Sequence, residues 1–252
     1  MTTHQPLLIP LGESEGGEPT VLLPAAGGGI GPYFPLAGEL LHRGPVHAIR
    51  AVGLLAGERP DRDVPTMVER YLAELRALPR PPRHLVGWSL GGVLAWELAG
   101  RLAEDGAAAP VVIMVDSYAE LPARSATDHD ALLDRIGRSM GHPPGEEDGG
   151  AAGEEGGAAG EEGRRLREVA AAHLEAAHAH RASAAHAGPA LLISCTAERH
   201  SDQLGQWARR APRLRVRELA CTHFEALDAT RAPLLHHHID GFLTDLTQDS
   251  EG

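Results

Sequence analysis

Gly87-Trp88-Ser89-Leu90-Gly91 is a Gly-x-Ser-x-Gly pattern set between the short apolar run His84-Leu85-Val86 and a run of apolar periodicity through Val93, Leu94, Trp96 and Leu98. The arrangement predicts a serine on a tight strand-to-helix turn, in strained backbone angles, where Gly87 and Gly91 leave room for neighbouring chain. Its hydroxyl would stand exposed above the strand ends. The helix starting at Leu90 would aim unpaired N–H groups and the positive end of its dipole at the space where a tetrahedral oxyanion forms. The chemistry implied is nucleophilic attack on an acyl carbon. A structural turn can share five residues, but the strand before and the helix after favour the nucleophile.

Serine is a poor nucleophile at its own pKa, so it needs a histidine base and a carboxylate that holds the imidazole in one tautomer. His223, in Ala220-Cys221-Thr222-His223-Phe224, follows the last predicted strand, where a loop would carry it over the serine. His173, His178, His180 and His186 fall on an Ala-rich helix, where exposed or lid-lining positions are expected, and His236 to His238 resemble a solvated turn of the terminal helix. These histidines have helical metal-ligand spacing, yet no carboxylate or cysteine pattern joins them, so no metal site is expected. Two acids are candidates for the third role. Asp116 ends the strand that follows the helix starting at Leu90, the elbow helix, and Asp202 lies in the loop after the next strand, with Glu198 nearby. Both would sit at the C-terminal edge of the sheet, where sites form; an N-cap or turn is the plainer role for Asp116.

These residues need strands that alternate with helices. Pro19–Leu23, Val46–Val52, His84–Val86, Val111–Val115, Ala190–Cys195 and Leu214–Leu219 read as strands. Between them Tyr33–Leu41, a helix capped by Thr66 and carrying Met67 to Leu78, the elbow helix and Gln203–Arg210 read as helices, and Pro233–Leu246 closes the chain. The alternation predicts an α/β, mostly parallel, doubly wound sheet. Pro24-Ala25-Ala26-Gly27-Gly28-Gly29 is a small-residue loop whose backbone could approach a ligand; it lacks a phosphate-loop register, which leaves Ala26 or Gly27 as a second oxyanion N–H.

The expected organisation is a flexible lead-in over 1–18, core over 19–118, a helical lid insertion over 119–188, core again over 189–246, and a tail over 247–252. The insertion carries expected helices over Asp130–Met140 and Arg164–Ala187. Between them, about 143–163, the sequence Gly-Ala-Ala-Gly-Glu-Glu-Gly occurs twice and no Lys or Arg is present, which predicts a disordered, solvated linker.

With 252 residues and 42% hydrophobic content the chain can bury one substantial core. The net charge of −12 speaks against nucleic acid, and seven of the acids lie in 143–163, so the folded body is only mildly acidic. Neither a long apolar run nor a basic-then-apolar N-terminus is present, which predicts a cytoplasmic protein without membrane span or signal peptide. Cys195 and Cys221 sit in apolar runs and are expected as buried thiols.

Together, Gly87-Trp88-Ser89-Leu90-Gly91-Gly92, Val115-Asp116-Ser117-Tyr118 and Thr222-His223-Phe224-Glu225 resemble the C-terminal thioesterase domains of nonribosomal peptide synthetases and polyketide synthases, of the α/β-hydrolase superfamily. The resemblance runs from Pro19 to about Leu246. It implies Ser89 as nucleophile, Asp116 rather than Asp202 as acid, His223 as base, and the Leu90 and Ala26 N–H groups as oxyanion donors. It implies no bound cofactor, with the substrate an acyl or peptidyl thioester on the phosphopantetheine of a carrier protein, released by hydrolysis or cyclisation. Two departures stand out: the loop at Pro24 lacks the His or Phe that often begins it in relatives, and the acidic repeat has no counterpart. The alternatives are a stand-alone editing thioesterase, a simple carboxylesterase, and a hydrolase-fold binding protein. Met1 and the absence of a carrier domain favour the editing enzyme, but such enzymes more often carry Gly-His-Ser-x-Gly and use the later acid. The binding protein would require a missing triad member.

Overall fold

The computed structural model describes residues 5–14, 16–106, 108–121, 126–142, 154–183, 186–198 and 202–251. Seven strands, β1 (Leu8–Gly12), β2 (Thr20–Leu23), β3 (Val46–Ile49), β4 (His84–Trp88), β5 (Val111–Val115), β6 (Ala190–Cys195) and β7 (Leu214–Leu219), form one sheet. Their order is β1-β3-β2-β4-β5-β6-β7. Every pairing is parallel except β1 with β3. β2, β4, β5 and β6 are buried at every position, which is why they read as continuous apolar runs: helices cover both faces.

The helices are α1 (Phe34–Leu40), α2 (Val64–Arg76), α3 (Leu90–Glu104), α4 (Ala126–Ser139), α5 (Glu154–Ala179), α6 (Gln203–Ala208) and α7 (Ala232–Glu251). Strand side chains alternate between two cores. Val21, Leu23, Val112 and Met114 pack with Met67 and Tyr71 of α2, Leu94 and Trp96 of α3, and Trp207 of α6. Leu22, Ile113 and Val115 pack with Leu36 and Leu40 of α1 and Leu235, Ile239 and Phe242 of α7 on the other face. This is the expected doubly wound α/β sheet. A third, small cluster joins Ala26 to Leu133 and Ile136 of α4 and Ala170 and Leu174 of α5, so the insertion between β5 and β6 sits over the loop after β2.

Several expected boundaries are corrected. β1 lies inside the supposed lead-in loop, pairing Leu8 with Ile49 and Pro10 with His47. It is a sheet edge, where a proline costs no ladder bond, and that proline masks it in the sequence. α2 begins at Val64, with Asp63 rather than Thr66 as its cap: Asp63 Oδ1 accepts the Thr66 N–H at 2.8 Å. α4 starts at Ala126, before Asp130. α5 is helical from Glu154 to Ala179, rather than from Arg164 to Ala187. Residues 154–163 are thus helix where a disordered linker was expected, and 143–153 lie outside the described residues. α7 continues through the expected tail to Glu251, its last turns tied to the sheet by Arg215, which reaches Asp245 at 2.6 Å and Asp249 at 3.1 Å. Among the described residues no helix is long and apolar enough to cross a membrane.

Candidate active site

Ser89 joins β4 to α3 with φ 58 and ψ −122, a conformation L-residues avoid unless the surroundings impose it. The surroundings are backbone. The Ser89 N–H donates to the Val115 carbonyl at 2.9 Å. A Cβ on Gly87 would lie 2.0 Å from the Gly91 carbonyl, and one on Gly91 would lie 2.4 Å from the Leu23 carbonyl. Gly92 is crowded by a side chain instead, since its Cβ would come within 2.0 Å of Ser117 Oγ; the doublet Gly91-Gly92 was the available signal.

Asp116 leaves β5 with a second positive φ, 44°. Its Oδ2 is 2.8 Å from His223 Nδ1. Its Oδ1 accepts the Cys195 N–H and the Gln203 Nε2–H, each at 3.1 Å. Burial pushes this carboxyl up, but the hydrogen bonds from His223, Gln203 and Cys195, together with the charge of the His223 ring whenever it is protonated, outweigh burial and hold it below the usual carboxylate range. His223 opens a short 3₁₀ turn that Thr222 and Glu225 cap reciprocally, and its ring lies 5.0 Å from that of Trp88. With Nδ1–H donated to Asp116, Nε2 presents a lone pair, the form a general base needs.

Asp202, the rival acid, points elsewhere. It is exposed, and its Oδ2 pairs with Arg209 at 2.9 Å; Glu198 pairs with Arg135 at 3.2 Å. Gln203, beside it, is the residue that enters the site: it is buried and bonds Asp116, the Ser117 carbonyl and Ser194. Its sequence context marked only a helix start. Tyr33 was read only as part of a helix. Its hydroxyl accepts the Trp88 N–H at 2.8 Å and donates to the Leu23 carbonyl at 2.6 Å, bolting the elbow strand to the strand that feeds the Ala25–Gly29 loop.

Ser89, Asp116 and His223 line one cavity of about 590 Å³, together with Ala26, Gly27 and Leu90. The N–H groups of Ala26 and Leu90 find no backbone acceptor among the described residues. Leu132, Ile136 and Leu174 of the insertion form an apolar part of the wall. The cavity can therefore hold an apolar acyl group beside a serine hydroxyl, an imidazole and the backbone N–H groups of Ala26 and Leu90.

Of the histidines expected at exposed or lid-lining positions, His180 lines the cavity and pairs with Glu97 at 2.9 Å. His173 and His186 are instead buried, each 1% exposed. His236 meets His42 and Asp240 with ligand atoms within 4.8 Å, but Arg43 already occupies Asp240 Oδ1 at 2.8 Å through Nε. The cysteines are buried free thiols with sulfurs 3.6 Å apart.

The family model described as "Thioesterase domain" matches residues 18–243. The chain belongs to the thioesterase-domain family. Among curated relatives, this thioesterase is 28% identical to a dimodular nonribosomal peptide synthase of Bacillus subtilis (strain 168) over 55% of the chain, and that match is 6% of the synthase. It is 35% identical to polyketide synthase GfsE of Streptomyces halstedii over 45% of the chain and 3% of the synthase. The chain thus corresponds to a small part of these relatives. Among solved structures, the NocB thioesterase domain in covalent complex with a fluorophosphonate nocardicin G analog matches 90% of this thioesterase and 95% of that chain, at TM-score 0.72 and 23% identity. YbtT, a type II thioesterase of a yersiniabactin pathway, matches 91% and 95%, at TM-score 0.68 and 21% identity. These likenesses carry the α/β-hydrolase fold, and the family is one of hydrolases.

Proposed function

We propose that this thioesterase releases an acyl or peptidyl chain from the phosphopantetheine thiol of a carrier protein through an acyl-enzyme on Ser89. The observation that carries the reading is the 2.8 Å contact of Asp116 with His223 in the cavity that also exposes Ser89 on its strained turn. His223 Nε2 takes the hydroxyl proton as Ser89 Oγ attacks the thioester carbonyl. The Leu90 and Ala26 N–H groups hold the oxyanion, each worth ~3–4 kcal/mol in comparable sites. Collapse breaks the C–S bond, and the proton on His223 passes to the leaving thiolate. Water, or an amine or hydroxyl of the same chain, then attacks the ester with His223 as base again and frees Ser89 with its proton restored.

α4 and α5 act as the lid, whose apolar wall decides how much water reaches the ester. The pairing of Asp202 with Arg209 favours this reading over the editing enzyme with the later acid. The two buried free thiols fit a reducing compartment, and we place the reaction in the cytoplasm; the serine, imidazole and carboxylate chemistry calls for no metal or cofactor of its own. The test is mass spectrometry after mixing the protein with a carrier-bound thioester and with its N-acetylcysteamine counterpart. An acyl adduct on Ser89, absent in Ser89→Ala, is expected; product release by Ser89→Ala at the parent rate overturns the assignment.

A further inference from the structure

α5 seats one face on the Ala25–Gly28 turn. A Cβ on Gly28, whose φ is +77, would lie 2.9 Å from Val169 Cγ1 and 2.8 Å from Ala51 Cβ, while Ala170 and Leu174 pack on Ala26. The turn is closed by Gly28 N–H donating to the Ala25 carbonyl at 2.9 Å, and pinned to β3's exit by Ala51 N–H donating to the Gly28 carbonyl at 2.8 Å. His173 occupies the middle of that helix face, 1% exposed. Neither ring nitrogen makes a hydrogen bond of normal geometry; the ring lies on the face that Val169, Ala170 and Leu174 press onto Gly28 and Ala26, and the Ala25 and Ala26 backbone favours its protonated form against the burial that lowers its pKa. A buried imidazole without a partner is an exception that calls for a role, and that backbone belongs to the candidate oxyanion loop.

We propose that His173 is a positioning residue for the oxyanion hole: its ring N–H engages the Ala25 carbonyl as α5 settles on the acyl-loaded site. That carbonyl and the Ala26 N–H are the two ends of one peptide unit. A donor on the oxygen fixes the plane of the unit and polarises its N–H, so the Ala26 donor becomes both better aimed and stronger. The carbonyl has two lone pairs, and Gly28 uses one. The seating of the lid helix and the readiness of the oxyanion hole are thereby one event. This role rests on the thioesterase reading of Ser89 and Ala26.

The test compares the parent with His173→Phe, which keeps bulk and loses the donor, and His173→Gln, which keeps a donor. Turnover of an N-acetylcysteamine thioester, affinity for an alkyl boronic acid that forms a tetrahedral adduct on Ser89, and thermal melting are measured for each. His173→Phe is expected to lose about tenfold in kcat and about tenfold in boronate affinity with KM within roughly twofold, the pattern of a weakened transition-state donor. His173→Gln is expected to recover most of both. Unchanged kcat in a folded His173→Phe, a loss confined to KM, or an equal loss in the glutamine variant overturns the proposal. If His173→Phe does not fold, His173→Leu takes its place, and failure of both to fold assigns the residue to folding and overturns the proposal. A parent that turns over no thioester and takes no boronate overturns the thioesterase reading as well; an active parent beside an unaffected His173→Phe overturns the role of His173 alone.

Discussion

At the scale of single residues, the choice between two acids turns on which carboxylate the histidine meets. Asp116 reaches His223 and is fed by two further donors, whereas Asp202 is spent on Arg209 at the surface. Asp116→Asn is therefore expected to cut kcat by about 10⁴, the loss seen when the acid of another Ser-His-Asp triad becomes an amide. Asp202→Asn should stay within roughly twofold of the parent, because an exposed ion pair contributes little. Steady-state kinetics on one thioester decides both. Tyr33 is a second test. Tyr33→Phe strands the buried Trp88 N–H and Leu23 carbonyl, which should cost about 1–3 kcal/mol in denaturant unfolding and lower kcat by loosening elbow against loop.

At the scale of elements, the loop after β2 is held between the exit of β3 and α5, and Gly28 is where the three meet. Gly28→Ala adds a methyl within 3 Å of Ala51 Cβ and Val169 Cγ1 on a backbone with φ +77. The expected result is a fall in kcat larger than any rise in KM, because the displaced loop carries the Ala26 N–H. α5 itself is uneven. Its first ten residues include Gly156, Gly157, Gly160 and Gly163, whereas Leu166, Val169, Ala170 and Leu174 are buried. Each glycine costs about 1 kcal/mol of helix propensity relative to alanine. Hydrogen exchange should accordingly be fast over 154–163 and slow over 166–176, and uniform slow exchange would refute that division.

At the scale of the whole molecule, buried histidines set the response to acid. Burial lowers His84 to about 4 and His173 to about 4, from an ordinary 6.5. The unfolded chain binds these protons between pH 6.5 and 4 while the folded chain does not, so their contribution is complete above 6.5 and lost as pH falls toward 4. The slope is about 1.4 kcal/mol per pH unit for each histidine. Asp116, lowered in the fold, adds a loss in the same direction at still lower pH, below the ordinary carboxylate value. Melting temperature should decline steadily from pH 7 to pH 5, with a shallower decline in His84→Gln; a flat profile would contradict the burial of both rings.

Much was legible in the chain alone. Gly-x-Ser-x-Gly between a strand and a helix, an aspartate closing β5 and a histidine just past β7 are local features, and their order along the chain follows from a sheet whose strands all end on one edge. Buried parallel strands announce themselves as unbroken apolar runs, as β5 and β6 do. What local patterns could not supply were contacts across the sheet. Gln203 on Asp116, the Tyr33 hydroxyl on the Trp88 N–H, and Ala170 and Leu174 of α5 on Ala26 join residues dozens of positions apart, with no periodicity to mark them. β1 was hidden because an edge strand needs neither apolar alternation nor freedom from proline, and α5 reaches Glu154 through glycines that propensity alone would leave unwound. The sequence determined the strand-end chemistry because backbone sterics and burial act locally. Only the tertiary structure decided which acid the histidine meets and what braces the serine, because those depend on where separate elements come to rest against one another.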